Sequence, residues 1–182
     1  MKKLHTYLLF SLPLLYVIIN VFLNDDIMNV PSYLIITTGY IALSLLVFIL
    51  LIPIVPVLSD YIDRRSLGII TFVYALIHYF LYILDNNIEW MLIRNDLFFR
   101  NYIQFGYISL IFFLPLFITS NNYAKELLGN RWMAIHRLIY IIILSSMLHY
   151  YMIIKADYFA FIMYSVILIT ILIIKYRKYS IK

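Results

Sequence analysis

Cysteine is absent from the 182 residues, which removes disulfides, thiolate metal sites, cysteine-ligated clusters and thiol nucleophiles. Any redox chemistry therefore needs a bound cofactor. Charge is scarce as well: Asp, Glu, Lys and Arg together make 13% of the chain, and every carboxylate falls in a short polar stretch between long apolar runs. A proton pathway across a membrane would be expected to place carboxylates inside the spans, so the pattern disfavours a relay. Glycine is rare too, at four residues, and no glycine-rich dinucleotide fingerprint is present. A self-contained flavin- or nicotinamide-dependent reductase is thereby disfavoured, and any such domain is expected to be a separate protein.

What fills the chain is apolar. Hydrophobic residues make up 65% of it, and the mean hydropathy is +0.94. Such a sequence has more apolar surface than its own core can hide, and a bilayer is the solvent that accepts the remainder. Apolar runs cover Leu4–Leu23, Tyr33–Leu58, Leu67–Leu84, Tyr102–Ser120, Trp132–Ile154 and Tyr158–Ile174. Each is near the roughly 20 residues that carry a helix through hydrocarbon. The expected fold is an all-α integral membrane protein, a six-helix transmembrane bundle forming one domain over residues 1–182.

The opening MKKLHTYLLFSLPLLYVIIN has the basic end and apolar run of a signal peptide, but no small-x-small cleavage site follows it, and it reads as the first span. The net charge of +5 could suggest a nucleic-acid partner, yet the cations sit in short loops and form no exposed stripe. They read instead as topology signals. With the amino terminus in the cytoplasm, Lys2, Lys3, Arg64, Arg65, Lys125, Arg131, Lys175, Arg177, Lys178 and Lys182 all lie inside. Arg137 lies near the inner edge, and only Arg94, Arg100 and Lys155 fall outside. This bias places both termini in the cytoplasm of a bacterial inner membrane. The loop Asp85–Arg100 mixes charges with Trp90, Met91, Phe98 and Phe99 and is expected to lie along the outer interface.

Three histidines, His78, His136 and His149, lie within the spans. An ionisable residue inside a membrane is costly and functional by default. His5, at the start of the first span, reads as an interfacial bystander. Imidazoles can bind zinc or copper, relay protons or ligate haem iron. His136 and His149 stand thirteen residues apart on one helix, or about 20 Å at 1.5 Å per residue, so they cannot share one ion. They also point roughly 140° apart around a straight helix.

Haem fits better. Its iron takes axial histidines from facing helices, and its macrocycle fills an apolar, aromatic-lined slot. Counted from the outer ends of their spans, His78 and His149 match in depth, which puts the haem between the third and fifth helices. Counted from the inner edge, His78 lies midway between His136 and His149, unless the third helix extends inward through Arg64 and Arg65. His136 is left without a histidine opposite it. Arg64, Arg65 and Arg137 read either as inner anchors or as partners for an anionic cofactor group or a cytoplasmic donor protein.

The runs Asp63-Arg64-Arg65-Ser66-Leu67-Gly68, Tyr74-Ala75-Leu76-Ile77-His78-Tyr79, Pro115-Leu116-Phe117-Ile118-Thr119-Ser120, the stretch from Leu128 to Tyr140 and Met147-Leu148-His149-Tyr150 carry a resemblance. Together they resemble the MsrQ or YedZ family, the haem-binding membrane subunits of the periplasmic methionine-sulfoxide reductase system, within the ferric-reductase-like transmembrane group. The resemblance implies haem b, one or two per chain, and flavin mononucleotide (FMN) as a further cofactor. It implies electron flow from a cytoplasmic flavin reductase or the quinone pool to a periplasmic molybdenum-containing reductase subunit that repairs oxidised proteins. His78 and His149 would be the axial pair, and His136 would serve a second haem or the side where electrons enter. Where the family usually has Arg-Pro-Tyr, this chain has Arg100-Asn101-Tyr102. The competing readings are a haem-free small transporter or assembly protein in which the histidines only pack, and a ferric-reductase-type subunit with another acceptor.

Overall fold

Apolar composition and helix signals in the sequence resolve into helices throughout. The computed structural model describes residues 2–180, so Lys182 of the basic tail lies outside the described residues. In chain order the elements are α1 (Lys2–Leu23), α2 (Val30–Leu51), α3 (Pro56–Tyr61), α4 (Arg64–Asp85), α5 (Trp90–Phe99), α6 (Asn101–Ile118), α7 (Asn122–Leu128), α8 (Asn130–His136), α9 (Ile139–Ile153) and α10 (Phe159–Ser180). No strand occurs among the described residues. Among the described residues six spans are long and apolar enough to cross a membrane: α1, α2, α4, α6, α8 with α9, and α10. The all-α, six-span expectation therefore holds.

The helix boundaries follow local chemistry. Asn29 caps α2 by accepting from the Ser32 N–H at 3.0 Å, and Asp63 caps α4 by accepting from the Ser66 N–H at 2.9 Å. Pro53 and Pro56 stop the second span at Leu51, seven residues short of the Leu58 expected from hydropathy, and residues 56–61 form a separate short helix. The third span begins at Arg64, so it does extend through both arginines. Gly129, at φ 50°, closes α7 in the left-handed region open to glycine.

The fifth span is not one straight helix. Around Arg137 and Leu138 the backbone tightens, with Leu138 N–H bonding the Ile135 carbonyl and Ile141 N–H bonding the Leu138 carbonyl. These are i→i−3 bonds of 3₁₀ type, and they separate α8 from α9. The angular offset calculated for a straight helix therefore does not apply to His136 and His149.

Packing groups the spans into two halves. The most extensive helix contacts are α2 with α4 and α6 with α9, whereas α4 meets α6 and α2 meets α9 more sparsely. Leu46, Leu50, Leu67, Phe72, Phe113 and Ile142 are buried where the four helices meet. Large apolar side chains such as Phe22, Ile111, Leu144 and Ile169 point outward, as a lipid-facing surface requires. Segment α5 leaves Trp90, Met91, Phe98 and Phe99 exposed and buries Asp96, which accepts from the Tyr82 hydroxyl at 3.0 Å and pairs with Arg100 at 2.9 Å.

Pro13 lies inside α1, and the adjacent backbone is served by a neighbouring helix. The Tyr74 hydroxyl of α4 accepts from the Leu14 N–H at 2.9 Å and donates to the Phe10 carbonyl at 3.0 Å. Tyr74 is almost fully buried, so removing its hydroxyl leaves both backbone groups without that partner. Tyr74→Phe is expected to destabilise the bundle by about 1–2 kcal/mol in a denaturant titration in detergent. Adding Pro13→Ala should recover part of that loss by removing the ring that disturbs this turn, so that the Leu14 N–H can reach the Phe10 carbonyl itself. A Tyr74→Phe protein as stable as its parent would contradict this role.

Candidate functional site

Ile35 and Gly39 lie one turn apart on α2, and Tyr102 and Gly106 lie one turn apart on α6. Each pair seats a histidine from the helix packed against it. The His78 Nδ1 lies 2.8 Å from the Ile35 carbonyl oxygen, and the His149 Nδ1 lies 2.6 Å from the Tyr102 carbonyl oxygen. A carbonyl can only accept, so Nδ1 carries the proton in both rings and Nε2 keeps its lone pair. This is the arrangement by which metal-bound histidines are usually oriented.

The glycines make the close approach possible. A Cβ at Gly39 would sit 3.0 Å from His78 Cε1 and 3.1 Å from its Nδ1, and one at Gly106 would sit 3.2 Å from the same two atoms of His149. Neither ring can yield easily, because each is tethered to the carbonyl one turn away.

Between the halves the two imidazoles face a shared cavity of about 430 Å³. Their ring centroids are 6.1 Å apart with planes at 89°. A metal–imidazole bond is about 2 Å long and the ring centre lies about 1 Å behind the nitrogen, so two imidazoles on opposite sides of one ion stand about 6 Å apart. The spacing fits. No group of three His, Asp or Glu able to hold an ion occurs among the described residues. An ion held here would have two protein ligands, with its other positions filled by a non-protein group. The cavity wall is mainly apolar and aromatic, including Leu46, Phe113, Tyr79 and Tyr107, with Lys155 and Asp157 at its mouth.

A second cavity of about 980 Å³ lies toward the opposite face, among Lys3, Arg64, Arg65, Trp132, His136, Arg137 and Lys175. His136 stacks on Trp132, with centroids 4.0 Å apart, and its Nε2 lies 3.1 Å from the Thr119 hydroxyl. The Trp132 indole donates to the Thr119 carbonyl at 2.9 Å. The single ion pair among the described residues is Arg100 with Asp96, so Arg64, Arg65 and Arg137 have no carboxylate partner there. Phe113 lines both cavities.

The structure thus brings His78 and His149 together, from the third and fifth spans, and gathers His136, Arg64, Arg65 and Arg137 at a separate site. The two histidines that match in depth from the outer ends of their spans stand close together. Gly39, Gly106, Thr119 and Trp132 carry no role in the sequence reading. The repeated words Gly-Tyr-Ile at Gly39 and Gly106 and His-Tyr at His78 and His149 were the signal that could have found the two glycines.

Comparison with known proteins bears on this arrangement. The chain is similar over 94 residues to the proteins named "Protein-methionine-sulfoxide reductase heme-binding subunit MsrQ" from Brucella ovis and Brucella canis, at 42% identity. The match covers 51% of this chain and 43% of each relative, so less than half the length of these relatives is matched. No solved structure matches the chain. The family description "Ferric reductase like transmembrane component" matches residues 38–147, the stretch that runs from the Gly39 seat through α4, α6 and α8 into α9. Two antiparallel helix pairs, each presenting a histidine, fill that stretch and its immediate edge, and the chain belongs to the ferric reductase like transmembrane component family.

Proposed function

We propose that the chain is a haem b electron-transfer subunit of a membrane oxidoreductase, with His78 and His149 as the axial ligands of one haem iron. The observation that carries this reading is the pair of imidazoles brought together from the two halves, 6.1 Å between centroids, each fixed by an Nδ1–H bond to a backbone carbonyl. Family membership and the names of the relatives support it. Bound haem would supply reversible one-electron transfer at the iron. The chain's own contribution is positional: Gly39 and Gly106 admit the rings, the Ile35 and Tyr102 carbonyls set their tautomer, and the apolar wall keeps water away.

The second cavity is the side where electrons enter. Arg64, Arg65 and Arg137 would hold an anionic group, either the propionates of a second haem served by His136 or the phosphate of FMN. In this reading the termini face the cytoplasm of a bacterial inner membrane, consistent with Lys2, Lys3, Arg64, Arg65, Lys125, Arg131, Arg137, Lys175 and Arg177 lying toward that face against Arg94, Arg100 and Lys155 at the other. The donor is a cytoplasmic flavin reductase or the quinone pool. The acceptor is a periplasmic molybdenum-containing methionine-sulfoxide reductase subunit, and substrate conversion takes place there.

Purified from the membrane, the protein is expected to show a Soret band and a sharp reduced α-band. His78→Ala and His149→Ala should each remove the contribution of the haem held between them, whereas a folded, colourless parent would refute the assignment. Gly39→Ala, whose methyl meets the ring at 3.0 Å, should weaken haem retention about tenfold, the scale of losing a ligand's supporting shell. Gly106→Ala should do less. A pyridine haemochrome assay decides the second cavity: two haems per chain, falling to one in His136→Ala, assign it to haem, and one haem with extractable flavin assigns it to FMN.

A further inference from the structure

Each glycine and each histidine of the two seats is followed by a tyrosine: Gly39-Tyr40, His78-Tyr79, Gly106-Tyr107 and His149-Tyr150. The fold pairs these tyrosines across the halves. The Tyr40 and Tyr150 hydroxyls are 3.0 Å apart with ring planes at 74°, and the Tyr79 and Tyr107 hydroxyls are 3.3 Å apart with planes at 79°. An approximate two-fold relation that exchanges the histidines also exchanges the two pairs. All four tyrosines line the histidine cavity. The first pair joins α2 to α9 and the second joins α4 to α6, the two sparse contacts between the halves.

Each imidazole is tethered within its own half, His78 to α2 and His149 to α6. The distance between the rings is therefore the distance between the halves at that depth. Further toward the second cavity, Phe72 packs on Phe113 and Phe117 and holds α4 to α6. At the level of the rings the phenol pairs bridge the gap on either side, and a hydroxyl in apolar surroundings bonds strongly to the partner it has.

We propose that Tyr40–Tyr150 and Tyr79–Tyr107 are positioning pairs that clamp the halves together so that both Nε2 atoms reach one iron at once. The role rests on the haem reading above. With a clasp broken, the halves would separate more readily, His78 and His149 could no longer both hold the iron, and a small ligand could take the vacated place.

Carbon monoxide reports that opening. In the ferrous parent the haem that both His78 and His149 would hold is expected to be nearly inert to it, read in the His136→Ala background where the second cavity holds a haem. Tyr79→Phe keeps the ring and removes only the hydroxyl; it should raise the CO-reactive fraction about fivefold, the size of one neutral hydrogen bond. Tyr107→Phe should do the same, and the Tyr79→Phe/Tyr107→Phe double variant should be no worse than either single, because both break one bond. Combining Tyr79→Phe with Tyr40→Phe should multiply the effects. Tyr164→Phe is the control: it breaks a comparable bond of 2.7 Å to Ser44, between α10 and α2, and should leave the haem inert. Either member of a pair tests its bond, so a variant that fails to fold is replaced by its partner. Haem-loaded variants as inert as the parent would overturn the clasp and leave the haem assignment standing, as would a Tyr164→Phe that opens the haem equally. A colourless parent would overturn both.

Discussion

The constraint on which the site depends is a short-range one: an imidazole laid against a glycine and tied to the carbonyl one turn earlier on the same neighbouring helix. Without a Cβ at Gly39 or Gly106 the ring approaches the backbone closely enough for Nδ1 to reach that oxygen. The bond then fixes the tautomer, and the tautomer leaves the Nε2 lone pair free. The device is built twice, once between α2 and α4 and once between α6 and α9, and the two copies face one another. Helix packing within each half therefore fixes the direction of each ring, and contact between the halves fixes the distance that separates them.

The two cavities divide the chemistry by polarity. The histidine cavity is walled by apolar and aromatic side chains, with its charged groups confined to the mouth. The other gathers cations from α1, α4 and α10 and from the turn after α8. The carboxylate beside them, Asp63, is engaged in capping α4 through the Ser66 N–H, which leaves the arginines without a charge partner among the described residues. Unpaired guanidinium groups near a membrane favour an anionic ligand or the aqueous face. Phe113, almost fully buried and packed on Phe72, is the wall common to both cavities. Under the proposed function it lies between the donor-side group and the histidine-bound one.

Hydropathy made the six spans legible because transfer to lipid is nearly a residue-by-residue property, and it erred only where a second effect intervened. Pro53 and Pro56 are apolar enough to prolong a run but cannot continue its helix, so the second span closes at Leu51. The bend at Arg137 and Leu138 has no proline or glycine to announce it. It arises where i→i−3 bonds replace the regular ladder, and a calculation that assumes 100° per residue cannot anticipate it. The nearness of His78 to His149 was legible because depth is counted from loop ends, and the outer loops mark those ends well.

The internal repetition was harder to see for a physical reason. Its two glycine-to-histidine intervals differ by four residues, about one helical turn, so loops of unequal length can absorb the difference while each glycine still meets its histidine. What repeats is geometry, and in sequence it leaves only Gly-Tyr-Ile and His-Tyr, dispersed through a chain that holds 18 tyrosines. Side-chain identity elsewhere on these helices is set by contact with lipid or with the apolar core, where Ile, Leu and Phe exchange at little cost. The residues that do not exchange freely are those whose size or hydroxyl has a specific counterpart: glycine beneath an imidazole, and tyrosine opposite tyrosine. In a bundle otherwise held by interchangeable apolar packing, these few contacts specify where the halves meet, and hence where a group shared between them can sit.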